Sequence, residues 1–256
     1  YGIRTDLSQS LSTMTQSIDS RTQPTKFDLK RLNQKFDKIH PKDILAWCVA
    51  SFPTELVQVS TFDVDDLLVT DLLYRELKPK PPIPVLFVDT LHHFPETLDC
   101  VVHAKLHYQL KLKIFRVKGL KQKDEFTTQY GEQLWQTDPQ QYEQLTQVEP
   151  LKRGLKELGA IAWISSYRRD QDPQFADLPI FELDAAGRLR INPLANWTRR
   201  ETWAYVFEHD VLYNPLHDQG YTIIGDAPTT QPKQAELSEP EEAIPPRRPQ
   251  PEKTVW

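Results

Sequence analysis

The chain alternates between apolar runs that predict strands and amphipathic stretches that predict helices. The run LVQVSTF at 56–62 is rich in β-forming residues, and PVLFVDT at 84–90 is almost wholly apolar, as in a strand buried on both faces. Between them, DDLLVTDLLYREL at 65–77 places its leucines on one helical stripe. The first half of the chain therefore predicts a strand, a helix and a second strand.

The same alternation continues along the chain. Further helices are predicted at 40–52, 94–109 and 149–158 and from Thr198, and further strands at 112–117, 160–166 and 178–184. Strands separated by helices imply right-handed βαβ crossovers, so the sequence predicts an α/β fold with an open, mostly parallel sheet. Ligands of such sheets bind at the carboxyl ends of the strands, which places the loops 62–66, 89–95 and 165–172 around one crevice.

Composition changes along the chain and predicts three regions. Residues 1–26 are rich in Ser, Thr and Gln and are expected to be disordered, ahead of a globular domain at 27–225. The last region, 226–256, holds seven of the 21 prolines and no periodic apolar pattern. We expect it to be an extended, largely disordered tail that is a candidate for binding a protein partner.

Charge and cysteine content narrow the class of function. The 256 residues carry a net charge of −5 without a basic block, which argues against nucleic acid as a partner. No apolar run approaches the roughly 20 residues of a spanning helix. The two cysteines, Cys48 and Cys100, lie in apolar stretches and exclude a disulfide scaffold or a cysteine metal site, so no cofactor is expected. The expected location is the cytoplasm, or the plastid stroma in a eukaryote.

Two segments carry side chains suited to binding or proton transfer. Arg168, Arg169 and Gln171 follow the strand predicted at 160–166, where paired guanidinium groups are able to hold a sulfate or phosphate. The alternative is a pair of surface ion pairs. His217, in the loop YNPLHDQGY, is a candidate for proton transfer, and the alternative there is a structured turn.

Three acidic residues lie between the first strand and its helix. Asp63, Asp65 and Asp66 occupy the turn where α/β nucleotide-binding proteins usually hold phosphate with backbone N–H groups. Three carboxylates would repel a phosphate. Helix capping explains these residues better than a divalent cation site does, because three acidic residues do not complete the ligand set of an EF-hand loop.

Several motifs, in order and with matching spacing, carry a resemblance to a known family. They are VLFVDTLHHFPETL (85–98), YGEQLW (130–135), VEP (148–150), Arg168-Arg169-x-Gln171, INPLANW (191–197), YNPLHDQGY (213–221) and IGDAPTTQP (224–232). The chain resembles the thioredoxin-dependent phosphoadenylyl-sulfate (PAPS) reductases. The resemblance implies an adenine-nucleotide-alpha-hydrolase-like fold, a homodimer, and binding of PAPS or adenosine 3′,5′-bisphosphate. The substrate-binding candidates that it implies are Asp89, Glu149, Arg168, Arg169, Gln171 and His217.

The chain also departs from the family pattern. The iron–sulfur relatives carry paired cysteines before VEP and near the IG segment, and their absence here implies the cluster-free branch. The family's catalytic cysteine, which attacks the sulfonyl sulfur, has no counterpart in the sequence. Asp63 and Asp66 stand where the family has glycines in a phosphate loop, Gln147 where it has a lysine, and Phe175 where it has an arginine.

These departures affect one site while the framework persists, which predicts a degenerate active site. The favoured hypothesis is a non-catalytic homologue that acts as a binding, regulatory or assembly protein. The alternatives are an active PAPS reductase, which would need thioredoxin and a thiol from elsewhere, and a sensor that binds PAPS or its product without turnover.

Overall fold

The computed structural model describes residues 27–232, so the predictions for 1–26 and 233–256 lie outside the described residues. The α-helices are α1 (Leu29–Phe36), α2 (Pro41–Ser51), α3 (Val64–Asp71), α4 (Pro95–Tyr108), α5 (Lys123–Tyr130), α6 (Leu134–Thr137), α7 (Pro139–Glu143), α8 (Glu149–Glu157) and α9 (Arg199–Glu208). Helices α3 and α7 continue as wider π-helical turns at Leu72–Leu77 and Gln144–Val148, and short 3₁₀ helices lie at Pro173–Phe175 and Pro215–Gln219.

Six strands form one sheet at the centre of the described fold. They are β1 (Leu56–Val59), β2 (Val85–Val88), β3 (Leu112–Phe115), β4 (Ala162–Ile164), β5 (Phe181–Leu183) and β6 (Leu189–Ile191). Their spatial order is β3-β2-β1-β4-β6-β5, and every neighbouring pair is parallel except β5 with β6. The prediction of an open, mostly parallel α/β sheet is confirmed.

The two faces of the sheet bury different sets of apolar side chains. One face carries the large core, in which Leu67 of α3 and Trp203 of α9 are buried together with residues of α2 and α4. The other face is covered by α8, whose Leu151 and Leu155 belong to a smaller cluster. Helix α8 approaches the sheet closely at Gly154, where a Cβ atom would lie 2.5 Å from Leu86 Cδ1.

The residues that follow β3 in the chain form a third apolar cluster. The sequence analysis did not predict the helices of this cluster. Helices α5 to α7 bury Phe126, Leu134 and Tyr142 together with Val117. Their sequence is polar apart from a few anchoring aromatic and leucine residues, so no strong periodic pattern marks it. These helices place Tyr142 close to the carboxyl end of β2.

The arrangement at the far edge of the sheet also differs from the prediction. The run predicted as a strand at 178–184 contains β5, but β5 is the antiparallel edge strand, and β6 separates it from β4. Strand β6 was not predicted. Strand β6 has only three residues, with the charged Arg190 at its centre, so its apolar pattern is too short to predict a strand.

Packing contacts continue across the domain boundary predicted after residue 225. Asp226 is 3% exposed, pairs with His93 in an isolated antiparallel bridge and accepts a hydrogen bond from Tyr142 Oη at 2.6 Å. The packed chain therefore continues past residue 225. Within 27–232, no helix combines the length and apolarity needed to cross a bilayer.

Candidate functional site

The turn after β1 brings three carboxylates to the carboxyl edge of the sheet. Phe62 is fully buried and takes a left-handed conformation with φ of 61°, just before the chain enters α3. Asp63 is the N-cap of α3, and its Oδ1 accepts a hydrogen bond from Val64 N at 2.6 Å. The capping interpretation is confirmed for Asp63, whereas Asp65 and Asp66 lie inside the first turn and bind other partners.

Asp63 forms a buried ion pair with His217. Its Oδ1 lies 2.6 Å from His217 Nε2, and its Oδ2 accepts a bond from Ile224 N at 3.3 Å. Burial by itself raises the pKa of Asp63, but the charge and hydrogen bond of His217 outweigh it and hold the pKa below its usual value. Burial lowers the pKa of His217, and the attraction of Asp63 more than reverses this, so that pKa is raised. The predicted proton-transfer residue is therefore hydrogen bonded to an internal carboxylate, which favours its protonated form.

Asp65 forms a buried ion pair with the guanidinium group of Arg168. Arg168 Nη1 donates to Asp65 Oδ2, and Arg168 Nε donates to Asp170 Oδ1 at 2.8 Å. The other oxygen of Asp65 accepts from Thr202 Oγ1 at 2.9 Å. Arg168 is only 4% exposed, and although burial lowers its pKa, the two carboxylates raise it above the ordinary value. The arginine stays charged beside these two carboxylates. Burial nevertheless raises the pKa of Asp65, because the loss of hydration outweighs the attraction of Arg168.

Asp66 ties two strand ends together. Its Oδ2 accepts hydrogen bonds from Thr61 N at 2.6 Å and Thr61 Oγ1 at 2.8 Å, and its Oδ1 accepts from Ser166 Oγ. These bonds link the end of β1 to the end of β4. Burial raises the pKa of Asp66 to about 6, because the hydrogen bonds offset only part of the loss of hydration.

The structure separates the two arginines that were expected to hold one anion. Arg169 Nε donates to Leu178 O at 2.8 Å, and its Nη1 donates to Asn196 Oδ1. Gln171 Oε1 accepts from Arg168 N at 3.4 Å. Arg169 thus holds the loop before β5 instead of joining Arg168, and the paired grip is not formed in this structure.

The other two substrate-binding candidates lie in a second group, near the carboxyl ends of β2 and β3. Asp89 Oδ2 accepts from Arg116 Nε at 2.7 Å, and Glu149 accepts from Arg153 Nε at 2.8 Å. Arg153 Nη2 donates to the carbonyl of Arg116, which joins the two pairs. Sequence reasoning missed Arg116, although it stands at the end of a predicted strand. The strand-end rule that selected Arg168 would have found it.

A buried polar network around Asp226 was also missed. Its carboxylate accepts hydrogen bonds from Tyr142 Oη at 2.6 Å and from Thr90 Oγ1, and Gln147 Nε2 lies at 3.5 Å. His93 Nδ1 is 3.7 Å away and has no hydrogen-bond partner in the described part of the chain. The network anchors the chain at Asp226 to the end of β2. The sequence around Asp226 is polar, so no apolar pattern predicted this contact.

The remaining positions that the sequence analysis singled out make contacts within the fold. Gln147 is the distant partner of Asp226 just described. Phe175 stacks on Tyr167 with ring centroids 4.9 Å apart. Cys48 and Cys100 are buried, as predicted, and burial raises the pKa of Cys100 to about 12 and that of Cys48 further still. Both sulfurs are therefore thiols at neutral pH.

The carboxyl edge of the sheet is thus a set of satisfied ion pairs rather than an open group of cations. No group of three or more His, Cys, Asp or Glu side chains suited to a metal ion occurs among residues 27–232. Asp63 and Asp65 supply, from inside the chain, the negative charges that a phosphate or sulfate would bring to His217 and Arg168.

The fold defines the class of protein. An open parallel sheet whose strand-end loops surround one edge is the arrangement of the nucleotide-alpha-hydrolase-like proteins. FMN adenylyltransferase of Candida glabrata, at 18% identity, matches this fold with a TM-score of 0.54 over 96% of this chain and 82% of its own. At that identity the likeness concerns the fold alone.

Sequence similarity identifies the family within that class. The model of the phosphoadenosine phosphosulfate reductase domain matches residues 55–232, so the chain belongs to the PAPS reductase family. The phosphoadenosine phosphosulfate reductase of Emericella nidulans is 40% identical over 210 residues, 81% of this chain and 68% of that protein. The adenosine 5′-phosphosulfate reductase of Salinibacter ruber is 38% identical over 205 residues, 80% and 79% of the two chains.

A solved structure agrees with this assignment. The PAPS reductase of Candida auris, determined as a phosphate complex, is 35% identical and superposes with a TM-score of 0.74. The match covers 84% of this chain and 100% of that one. The adenine-nucleotide-alpha-hydrolase-like fold expected from the sequence is therefore confirmed, as is membership of the family.

Proposed function

We propose that this chain is a member of the PAPS reductase family that does not reduce PAPS and acts as a binding, regulatory or assembly protein. The observation that carries the proposal is the internal pairing of Arg168 with Asp65 and of His217 with Asp63. A sulfonucleotide that used these cations would have to displace buried carboxylates from them. Displacement leaves an uncompensated buried charge, which costs about 3–5 kcal/mol.

The cysteines of the chain support the same proposal. Reduction through a thiosulfonate needs a thiolate that attacks the sulfonyl sulfur. Cys48 and Cys100 lie in the core, with Cys100 only 3% exposed, and burial raises the pKa of both thiols. Neither sulfur is suited to meet a substrate. Under this proposal the chain descends from the cluster-free branch and no longer performs its chemistry.

The leading alternative is an active PAPS reductase, and the names of the relatives favour it. The proteins of Emericella nidulans and Saccharomyces cerevisiae, at 40% and 37% identity, are both named phosphoadenosine phosphosulfate reductase. In that case PAPS is the substrate, thioredoxin is the reductant, and a thiol other than Cys48 and Cys100 attacks the sulfur. A nucleotide sensor is the intermediate case, in which binding survives without turnover.

A sulfite-release assay separates reduction from the other functions. The full chain is incubated with PAPS and reduced thioredoxin, and the PAPS reductase of Saccharomyces cerevisiae serves as the positive control. The proposal predicts no sulfite above the protein-free blank. Sulfite formed in proportion to the concentration of this chain would overturn the proposal and establish the reductase.

The proposed binding role predicts a contribution from the proline-rich segment. A deletion that tests it should begin at residue 233, because Asp226 is buried and hydrogen bonded and belongs to the folded domain. A protein that the full chain retains and the 233–256 deletion loses would support the role. Equal retention by both would assign binding to the domain and not to this segment.

A further inference from the structure

The outer edge of the sheet is strongly basic, although the chain as a whole is acidic. Residues 104–123 contain seven Lys or Arg side chains and no Asp or Glu, in a protein of net charge −5. This segment includes β3, which pairs with β2 on one side and with no strand of residues 27–232 on the other. The whole-chain charge, from which no basic block was expected, therefore conceals a concentration of positive charge at an unpaired edge.

The backbone of β3 presents hydrogen-bonding groups along that edge. The carbonyl of Phe115 accepts a bond from Asp89 N at 2.8 Å, so the backbone groups of Phe115 face β2. Successive residues of a strand direct these groups to alternate sides, so the N–H and C=O groups of Leu112 and Ile114 face away from β2. An edge of this kind accepts an extended peptide as an added strand.

The side chains of β3 make the two faces of the edge chemically different. Phe115 packs against α8, with the guanidinium group of Arg153 5.5 Å from its ring. Lys113, two residues earlier in the strand, lies on the same face. Ile114 lies on the opposite face, and its side chain is 43% exposed. The edge therefore offers a cation on one face and an apolar side chain on the other.

The cationic face contains an open groove of about 410 Å³. Its charged lining residues, from β3, the loop after it and α8, are Lys113, Arg116, Lys118, Arg153 and Glu157. Arg116 and Arg153 are already paired with carboxylates, whereas Lys113 and Lys118 are exposed and form no ion pair with the residues in 27–232. The two lysines give the groove a positive charge that the folded domain does not neutralise.

We propose that the edge of β3 binds an extended segment of a partner protein in which acidic and apolar residues alternate. Added as a strand, such a segment places an acidic side chain beside Lys113 and an apolar one beside Ile114, because directly opposite residues of neighbouring strands are in contact. This goes beyond the proposed function, which leaves the partner undefined, and it holds whether or not the chain reduces PAPS.

A second copy of this chain is a poorer occupant of the edge. Pairing of two β3 edges would bring Lys113 and the neighbouring cations of one molecule beside those of the other, and like charges on neighbouring strands are destabilising. Lysines on edge strands commonly prevent identical edges from associating in this way. An acidic strand turns the same charges into an attraction.

Hydrogen exchange of the full chain, followed by NMR, tests the proposal. The test peptide is Glu-Val-Glu-Val-Glu-Val with both ends blocked, at about 0.05 M salt, where exposed charges are weakly screened. We expect the amides of Leu112 and Ile114 to exchange about tenfold more slowly or less at saturating peptide, because strand addition gives both N–H groups an acceptor. Binding, measured by fluorescence anisotropy of a labelled peptide, should weaken by about tenfold near 0.3 M salt.

Two further peptides separate the effect of charge from that of pattern. Glu-Glu-Glu-Val-Val-Val has the same composition but cannot keep its acids on one face of a strand and its valines on the other. It should bind at least about threefold more weakly than the alternating peptide. Lys-Val-Lys-Val-Lys-Val has the alternating pattern with the opposite charge and should not bind.

Charge reversal in the protein provides the matched variants. Lys113→Glu with Lys118→Glu should abolish binding of the Glu-Val peptide and permit binding of the Lys-Val peptide. The melting temperature should stay nearly unchanged, because both lysines are exposed. Lys38→Glu with Lys78→Glu makes the same change of charge at exposed positions outside the groove lining and should bind the Glu-Val peptide as the wild type does.

Four results would overturn the proposal. They are no binding at millimolar peptide, binding that leaves the exchange of Leu112 and Ile114 unchanged, equal binding of the alternating and block peptides, and slow exchange of both amides before any peptide is added. The last result would mean that the edge is already occupied. Sedimentation at several chain concentrations would then distinguish a second copy from a segment of the same chain.

Discussion

Replacing Asp65 with Asn tests the proposal that an internal carboxylate takes the place of a bound anion at Arg168. The Arg168 and Asp65 side chains are only 5% and 7% exposed, so the variant leaves a buried guanidinium without its nearest counter-charge. Losing one member of a buried pair costs about 3–5 kcal/mol. Asp170, at 2.8 Å from Arg168 Nε but 34% exposed, retains part of the compensation. We therefore expect the free energy of unfolding to fall by about 2–4 kcal/mol.

The ligand response of the same variant is the sharper readout. Freed from Asp65, Arg168 should accept an added anion, and adenosine 3′,5′-bisphosphate at 100 times its dissociation constant would return about 2.7 kcal/mol. Urea denaturation followed by tryptophan fluorescence, with and without the nucleotide, measures both effects. The wild-type chain should show no such gain.

A double variant controls for general effects of anions on stability. Asp65→Asn with Arg168→Gln removes both charges, so it should be more stable than Asp65→Asn alone and should lose the nucleotide response. Equal gains from the nucleotide in the wild-type chain and in Asp65→Asn would refute internal pairing as the reason for a closed anion site. So would a destabilisation of Asp65→Asn below about 0.5 kcal/mol, the range of an ordinary surface substitution.

Three further predictions address the pH dependence, the C-terminal anchor and the packing of α8. Folding raises the pKa of Asp66 from 3.8 to about 6. The contribution of Asp66 to stability is therefore full below pH 3.8 and is lost as the pH rises through about 6. Urea titrations at a series of pH values should show that the wild-type chain loses roughly 2–3 kcal/mol relative to Asp66→Asn between pH 4 and 7.5. Tyr142→Phe should lower the free energy of unfolding by about 1–3 kcal/mol, because buried Asp226 loses a donor at 2.6 Å, and urea denaturation measures the loss. Gly154→Ala should lower the melting temperature in calorimetry, because the new methyl group would lie 2.5 Å from Leu86 Cδ1 and overpacking of about 1–3 kcal/mol exceeds the gain in helix propensity.

The central strands were predictable because their burial leaves a direct mark on the sequence. Strands β1 and β2 lie inside the sheet and read as apolar runs. Strand β6 is also inside the sheet, yet Arg190 interrupts it. Its guanidinium lies 5.3 Å from the Trp163 ring and 5.1 Å from the Tyr167 ring, which gives a buried charge partners that no local pattern reveals.

The sequence predicted which residues lie at the candidate site but not which of them pair with one another. The strand-end rule and the family motifs selected Asp63, Asp65, Arg168 and His217, and all four lie at one edge of the sheet. Their pairing joins residues 103 and 154 positions apart in the chain, as Arg168 with Asp65 and His217 with Asp63. The sequence predicted that the aspartates would repel phosphate, but only the fold shows that they pair with Arg168 and His217, which were predicted to bind substrate.

The most direct test of the account is calorimetric titration of the wild-type full chain with PAPS and with adenosine 3′,5′-bisphosphate at about 0.1 M salt, where surface charges are screened and buried pairs are not. If internal carboxylates hold Arg168 and His217, neither nucleotide should give heat or shift the melting temperature at millimolar concentration. Micromolar binding of either one would contradict the account, because it would mean that the nucleotide binds despite Asp63 and Asp65.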